Sequence, residues 1–222
     1  MNKKSFLPLV VLSTLAISLA CSTLTNPGSP ASPTLPPFQL SLLRDDFSDP
    51  SSGWGTGTDE LSSVEYVSGT LLVEVYDPNF ITWSLPNEKD YSDVRMEVDV
   101  RNDSSDEYTV LGVICHVQES QDFYFLGVDA SGYYAIGKSV VGEDYVILTN
   151  GTSASVPGLG QSFTVAADCG NGELALYVNG EQLASIEDSA FTSGYVGIFV
   201  WNAATPNAAR VAFDNFKLDK IP

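Results

Sequence analysis

The chain has 222 residues, 44% of them hydrophobic, with 28 acidic side chains against 10 basic ones and a formal net charge of −18. So acidic a chain argues against nucleic acid and anionic lipid headgroups as partners, because like charge repels them. One histidine and three cysteines leave too few nitrogen and sulfur ligands for the usual zinc sites.

Residues 1–20 read as a targeting segment: Lys3 and Lys4 precede the apolar run "FLPLVVLSTLAISLA", which is short for a membrane span. The run ends in Ala20-Cys21, which resembles the lipobox of bacterial lipoproteins, although Ser18 stands where that pattern usually has leucine. The resemblance implies that Cys21 is lipidated and becomes the new N-terminus, which holds the protein on the extracytoplasmic face of a bacterial cell envelope. The alternative is an ordinary signal peptide with a chance cysteine. Residues 21–40 then form a tether: "STLTNPGSPASPTLPPF" carries five prolines among Ser, Thr, Asn and Gly, a composition that cannot bury enough apolar surface to order itself. Residues 41–222 are the size of one domain with an ample core. Only the two leader lysines are basic residues outside that part, so the mature chain sets 8 basic against 28 acidic side chains, a net charge of −20. Such a charge suits divalent cations or neutral ligands, and more simply it keeps an extracellular surface soluble.

From position 40 onward the pattern is strand after strand. Short runs rich in Val, Ile, Tyr, Phe and Trp predict strands at 40–46, 63–67, 70–76, 80–85, 92–101, 108–118, 122–129, 133–138, 144–149, 161–168, 172–178, 181–187, 194–201 and 209–219. In "DVRMEVDVR", Val94, Met96, Val98 and Val100 alternate with Arg95, Glu97, Asp99 and Arg101, which predicts one buried and one wet face. In "LALYVNGEQLASIED", Asn179-Gly180 interrupts the alternation, and Asn-Gly suits the two positive φ values of a type I′ hairpin. Cys115 and Cys169 fall in phase with inward residues: Leu111, Val113 and Val117 on one strand, Phe163, Val165 and Ala167 on the other. An even pair in an exported domain reads as a disulfide, two buried thiols being the alternative. The expected fold is an all-β, two-sheet antiparallel sandwich.

The stretches "DDFSDPSSGW", "FYFLGVDASGYYAIGK", "LALYVNGEQLA", "GYVGIFV" and "VAFDNFKL" together resemble a concanavalin A-like lectin/glucanase jelly-roll domain. This superfamily includes laminin-G-like modules, family 16 glycoside hydrolases and 3-keto-disaccharide hydrolase domains. The resemblance covers 41–222; it implies the fold and leaves lectin, enzyme and structural spacer open. It also implies one structural Ca²⁺ where the first and last strands meet, with Asp45, Asp46 and Asp214 as its ligands here. Strand and turn capping is the plainer use of those aspartates.

For catalysis, "MEVDVRN" offers Glu97 and Asp99 on one strand face, but the third carboxylate of a family 16-like strand is replaced by Arg101 or Asn102. The catalytic set is incomplete, and no other nucleophile motif is present. For binding, Tyr195, Phe199 and Trp201 alternate with Val196, Ile198 and Val200, so three aromatics share one face with Gly197 as a gap between them. Such a surface stacks on sugar rings. His116, Tyr124 and Tyr177 are further candidates, as are Trp83, Tyr133 and Tyr134. The expectation is a non-catalytic module that binds an extracellular glycan, with a glycan-active hydrolase or a protein-interaction module as alternatives.

Overall fold

The computed structural model describes residues 40–203 and 207–221. Cys21, the leader and almost all of the tether lie outside them. Among the described residues there are fifteen strands and no helix: β1 (Leu40–Asp45), β2 (Gly57–Thr58), β3 (Ser62–Val67), β4 (Thr70–Val75), β5 (Ile81–Ser84), β6 (Val94–Asn102), β7 (Thr109–Val117), β8 (Phe123–Val128), β9 (Tyr133–Ser139), β10 (Val146–Thr152), β11 (Ser162–Gly170), β12 (Glu173–Val178), β13 (Glu181–Glu187), β14 (Tyr195–Asn202) and β15 (Ala209–Lys220). Each expected strand is there; β2, two residues long, is the addition.

The strands form two antiparallel sheets. The larger has the order β13-β12-β11-β6-β15-β4-β3-β2, with β1 also paired to β15, so the first and last strands lie side by side. The smaller runs β10-β9-β8-β7-β14-β5. Their inner faces make one core. Val94, Met96, Val98 and Val100 contribute from β6, as their alternation predicts, and Leu111, Val113, Leu126, Ile136 and Ile198 meet them from the smaller sheet. The β12–β13 turn has Asn179 at φ 50° and Gly180 at φ 81°, the two positive values a type I′ turn needs. Cys115 on β7 is bonded to Cys169 on β11 with Cα atoms 6.6 Å apart, so the disulfide joins the two sheets through the core.

Two bulges redirect side chains from their expected faces. Tyr195 pairs with Val117 and Gly197 with Ile114, so Cys115 and His116 together oppose Val196, and His116 takes φ 51°. The extra residue reverses the phase of the strand end. Val117, expected to point inward, joins the cluster on the sheet's outer face instead. On β15, Asp214 pairs with Asp99 and Lys217 with Glu97, which leaves Asn215 at φ 52° at a step in the ladder. There β15 changes partner, from β4, which starts opposite Phe213, to β1, which ends opposite Phe216.

Candidate functional site

The outer face of the smaller sheet carries the three aromatics that the alternation of β14 placed together. In the central row, Phe199 pairs with Trp83 of β5 and with Gly112 of β7, and Gly112 pairs with Gly127 of β8. A Cβ on Gly127 would lie 2.8 Å from the Phe199 ring, and one on Gly137 would run into Phe125. The two phenylalanine rings therefore lie in troughs that glycines leave open. Phe199 is completely buried as a result and belongs to the packing of this face rather than to its surface. Gly197 leaves no gap between the aromatics, because the Leu85 side chain and the β5 backbone already fill the space beside it.

What reaches solvent on this face is a ring of larger aromatics around that floor. Trp83 packs on Phe123 with centroids 5.5 Å apart. Tyr145, from the β9–β10 connection, stands edge-on to Phe125 at 6.0 Å and leans on Trp201 at 5.6 Å. Tyr145 is 42% exposed, while Trp83, Tyr195 and Trp201 are half-buried. The Trp201 indole N–H is buried and has no hydrogen-bond partner among the described residues. Indole N–H groups ordinarily find an acceptor when buried.

His116 and Tyr124 do come together, but elsewhere. The bulge turns His116 off the aromatic face, and its ring sits 3% exposed, with Nδ1 2.9 Å from the Phe191 carbonyl and Nε2 2.8 Å from the Ser92 carbonyl. Tyr124 points into the core from β8; its hydroxyl donates to Asp188 and accepts from the Phe191 N–H at 3.1 Å. Lys138 reaches the second oxygen of Asp188 at 2.7 Å. Burial first, and Asp188 next, push the Tyr124 hydroxyl up to about 12. Burial pushes the Asp188 carboxyl up, but its donors Lys138, Tyr124 and the Ala190 N–H prevail and hold it below its ordinary range. These groups satisfy one another and fasten the 188–194 segment to β7, β8 and β9 of the smaller sheet.

Tyr177 lies on the outer face of the larger sheet, where the Arg95 guanidinium covers its ring at 4.4 Å and its hydroxyl donates to Asp168 at 2.9 Å. Arg95 also pairs with Asp168 and Glu97, and Glu97 is 3.6 Å from Lys217. Glu97 is thus a member of a surface ion lattice. Asp99, one step along β6, accepts from Thr164 Oγ1 at 2.6 Å and from Asn215 Nδ2 at 3.1 Å, and it faces Asp214 across the strands. Burial first, then the charges of Asp99 and Asp46, outweigh a hydrogen bond from the Asn215 N–H and keep Asp214 above the ordinary carboxylate range. This pair lines a groove of about 710 Å³ flanked by Thr70, Arg101, Arg210 and Asn179. The arginines there are already paired, Arg101 with Asp103 and Arg210 with Glu74.

The aspartates expected to hold calcium are used differently. Asp45 accepts from the Phe47 N–H at 2.8 Å with one oxygen and from the Trp54 indole N–H at 2.9 Å with the other. Asp46 accepts from the N–H and hydroxyl of Ser48. No group of three or more His, Cys, Asp or Glu side chains is placed to hold a metal among the described residues. Asp45, Asp46 and Asp214 thus form no such group among the described residues, and the set does not fit an ion that takes six to eight oxygens.

Sequence reasoning passed over Tyr145, Asp188 and the role of Asp214 opposite Asp99. Tyr145 follows the polar run Gly142-Glu143-Asp144, and Asp188 sits in "IEDSAF", which reads as a turn. Only Asp214 had a readable signal, since β6 and β15 both alternate with their acidic residues on the outer face.

No family model matches this sequence, and no curated protein does. Solved structures do match in fold. The carbohydrate-binding module CBM66 from Bacillus subtilis aligns at 16% identity and TM-score 0.61, over 76% of this chain and 96% of that one. A Bacillus subtilis protein of unknown function with a galectin-like fold aligns at 10% identity and TM-score 0.62, over 82% and 96%. The catalytic domain of an endo-1,3-β-glucanase (laminarinase) from Thermotoga petrophila aligns at 9% identity and TM-score 0.56, over 82% and 98%. The fold is the concanavalin A-like jelly roll.

Proposed function

We propose that this chain is a non-catalytic glycan-binding module, held at a bacterial envelope surface by a lipid on Cys21 and spaced from it by the 21–40 tether. The observation that carries the reading is the outer face of the smaller sheet. Partly exposed Trp83, Tyr145, Tyr195 and Trp201 surround a floor of buried phenylalanines. Flat, partly exposed aromatic surface is what stacking on a sugar ring requires. The same fold in a carbohydrate-binding module and in glycan-active enzymes supports the class of ligand without naming it. The test is a glycan array probed with the full chain and with Trp201→Ala. Binding that Trp201→Ala removes while its melting curve stays cooperative supports the reading; a folded chain silent on a broad array overturns it. Anchoring is checked separately by metabolic labelling with a fatty-acid analogue, which Cys21→Ala must abolish.

A glycan-active hydrolase has one specific observation behind it, the Asp99–Asp214 pair in its groove on the opposite sheet. Directly opposed residues in an antiparallel pair have Cβ atoms about 4.5–5.5 Å apart, and a retaining glycosidase sets its carboxyls about 5–5.5 Å apart. Hydrolysis lost in both Asp99→Asn and Asp214→Asn and kept in Trp201→Ala would favour this second reading.

A further inference from the structure

The two sheets do not close on each other along one side. There the larger sheet ends in β2 and the smaller one in β5, and each of these strands has a ladder partner on one flank only: β2 pairs with β3 and β5 with β14. A cleft of about 600 Å³ runs between them, with Ser62 and Val64 of β3 at its base. Its walls are small and polar. The 53–58 segment brings Gly53, Gly55, Thr56, Gly57 and Thr58, and the facing side brings Thr82, Ser84 and Asn87. Two hydrogen bonds set its width at one end, Ser84 Oγ to the Gly55 carbonyl at 2.8 Å and the Gly55 N–H to the Leu85 carbonyl at 3.1 Å. Gly57 pairs with Val64 and so shares its inward face, yet a Cβ on Gly57 would meet no atom within 4 Å. That position opens into the cleft.

Charge narrows what the cleft accepts. Its ionisable residues are Asp59 and Glu88, and no lysine or arginine lines it. In a domain with a net charge near −20, an anionic ligand would meet repulsion both at long range and at the rim. Hydroxyls, amide groups and the free flanks of two edge strands instead offer alternating donors and acceptors, which is what a polyol needs. Trp83 belongs both to this lining and to the exposed aromatics of the smaller sheet, and Phe123 supports its ring.

We propose that the seam between β2 and β5 is a second part of the binding site and takes an uncharged polysaccharide chain, which passes from the aromatic face over Trp83 into the cleft. This deepens the glycan-binding reading and rests on it. It names the ligand class as neutral rather than uronate-rich or sulfated, and it assigns Thr82 and Asn87 as hydroxyl-recognising residues.

The test is affinity electrophoresis of the full chain in gels containing laminarin, xylan, galactomannan or dextran, and separately polygalacturonate or chondroitin sulfate. It is run with wild type, Gly57→Val and Trp201→Ala. Gly57 lies outside the left-handed backbone region and faces open space, so Gly57→Val narrows the cleft without forcing the fold. Thr82→Val, which removes a cleft hydroxyl at near-constant volume, serves as a second variant. The expected result is retardation by at least one neutral polymer and by neither acidic one, with affinity reduced tenfold or more in Gly57→Val. Neutral binding unchanged in both Gly57→Val and Thr82→Val, but lost in Trp201→Ala, would sink the cleft and leave the aromatic face standing. Equal or stronger retardation by the acidic polymers would overturn the charge argument. A chain retarded by none of the six would overturn the cleft and the glycan reading together.

Discussion

Phe199 and Trp201 lie two residues apart on one strand face, and the structure gives them opposite jobs. Phe199→Ala should damage the fold and leave specificity alone. The ring is fully buried over Gly127, in a trough that the absent side chain leaves open. Emptying such a site costs about 3–5 kcal/mol, the range for Phe→Ala in well-packed interiors. With unfolding entropy near 2.1 cal/mol/K per residue over roughly 180 folded residues, a loss of about 4 kcal/mol lowers Tm by roughly 10 °C. Phe199→Leu keeps most of the volume and should cost less than half as much. The assay is urea unfolding followed by tryptophan fluorescence, paired with glycan binding at a temperature where each variant is at least nine-tenths folded. The expected outcome is a lower midpoint with an unchanged m-value and near-wild-type affinity. If Phe199→Ala instead costs less than about 1 kcal/mol and abolishes binding, the ring is a platform after all, and the division between floor and surface is wrong.

The same geometry sets other outcomes. Replacing Cys115 and Cys169 together by alanine reopens a loop with a sequence separation of 54, and chain entropy puts the loss at about 4 kcal/mol; a non-reducing melt equal to that of wild type would contradict a bridge between the sheets. Asp45→Ala strands the Trp54 and Phe47 N–H groups and should cost about 1–3 kcal/mol, whereas adding a chelator to wild type should leave Tm unmoved; a chelator-sensitive Tm would restore calcium. Asp214 is held above the ordinary carboxylate range, by burial and then by Asp99 and Asp46. A raised carboxyl pKa favours the protonated fold, so its penalty is present above the folded pKa and fades as pH falls below the unfolded value. Asp214→Asn should therefore be more stable than wild type near neutral pH, with the gap closing towards about pH 4; a gap that widens on acidification would reverse the sign.

Much of this fold was legible because period-two alternation is local information. Val94 to Val100, Leu174 to Val178 and the Asn179-Gly180 turn each declare their faces within a few residues, and the cysteine phases matched well enough to bridge the sheets. The aromatic face was legible for the same reason, since Tyr195, Phe199 and Trp201 do share it. Which of them is exposed was not, because that depends on Gly127 across the sheet on β8 and on Tyr145 arriving from a loop. His116 was misplaced by a bulge that nothing in "GVICHV" signals. The two carbonyls that hold its ring, Ser92 and Phe191, lie 24 and 75 residues away. The Asp45 carboxylate looked available for a cation because the Trp54 indole that occupies it is set by the turn between them. Local patterns assigned the faces, and contacts between distant segments decided what each face does.

The disulfide also bears on mechanics. The described chain enters the fold at Leu40 on β1, in the larger sheet, while Trp201 lies on the smaller one. If a tether pulls at Leu40 while a glycan holds the aromatic face, tension runs from β1 through the ladders of β15, β6 and β11 to Cys169. It crosses the core along one covalent bond to Cys115 and spreads through β7 into β14. Elsewhere the contacts between the sheets are non-covalent, apolar packing with a few hydrogen bonds such as Ser62 to Thr82, and these yield more readily under shear than a covalent bond does. Under such a load the bridge would make the two sheets a single mechanical link, and reducing it should let them part under a pull that the oxidised protein withstands.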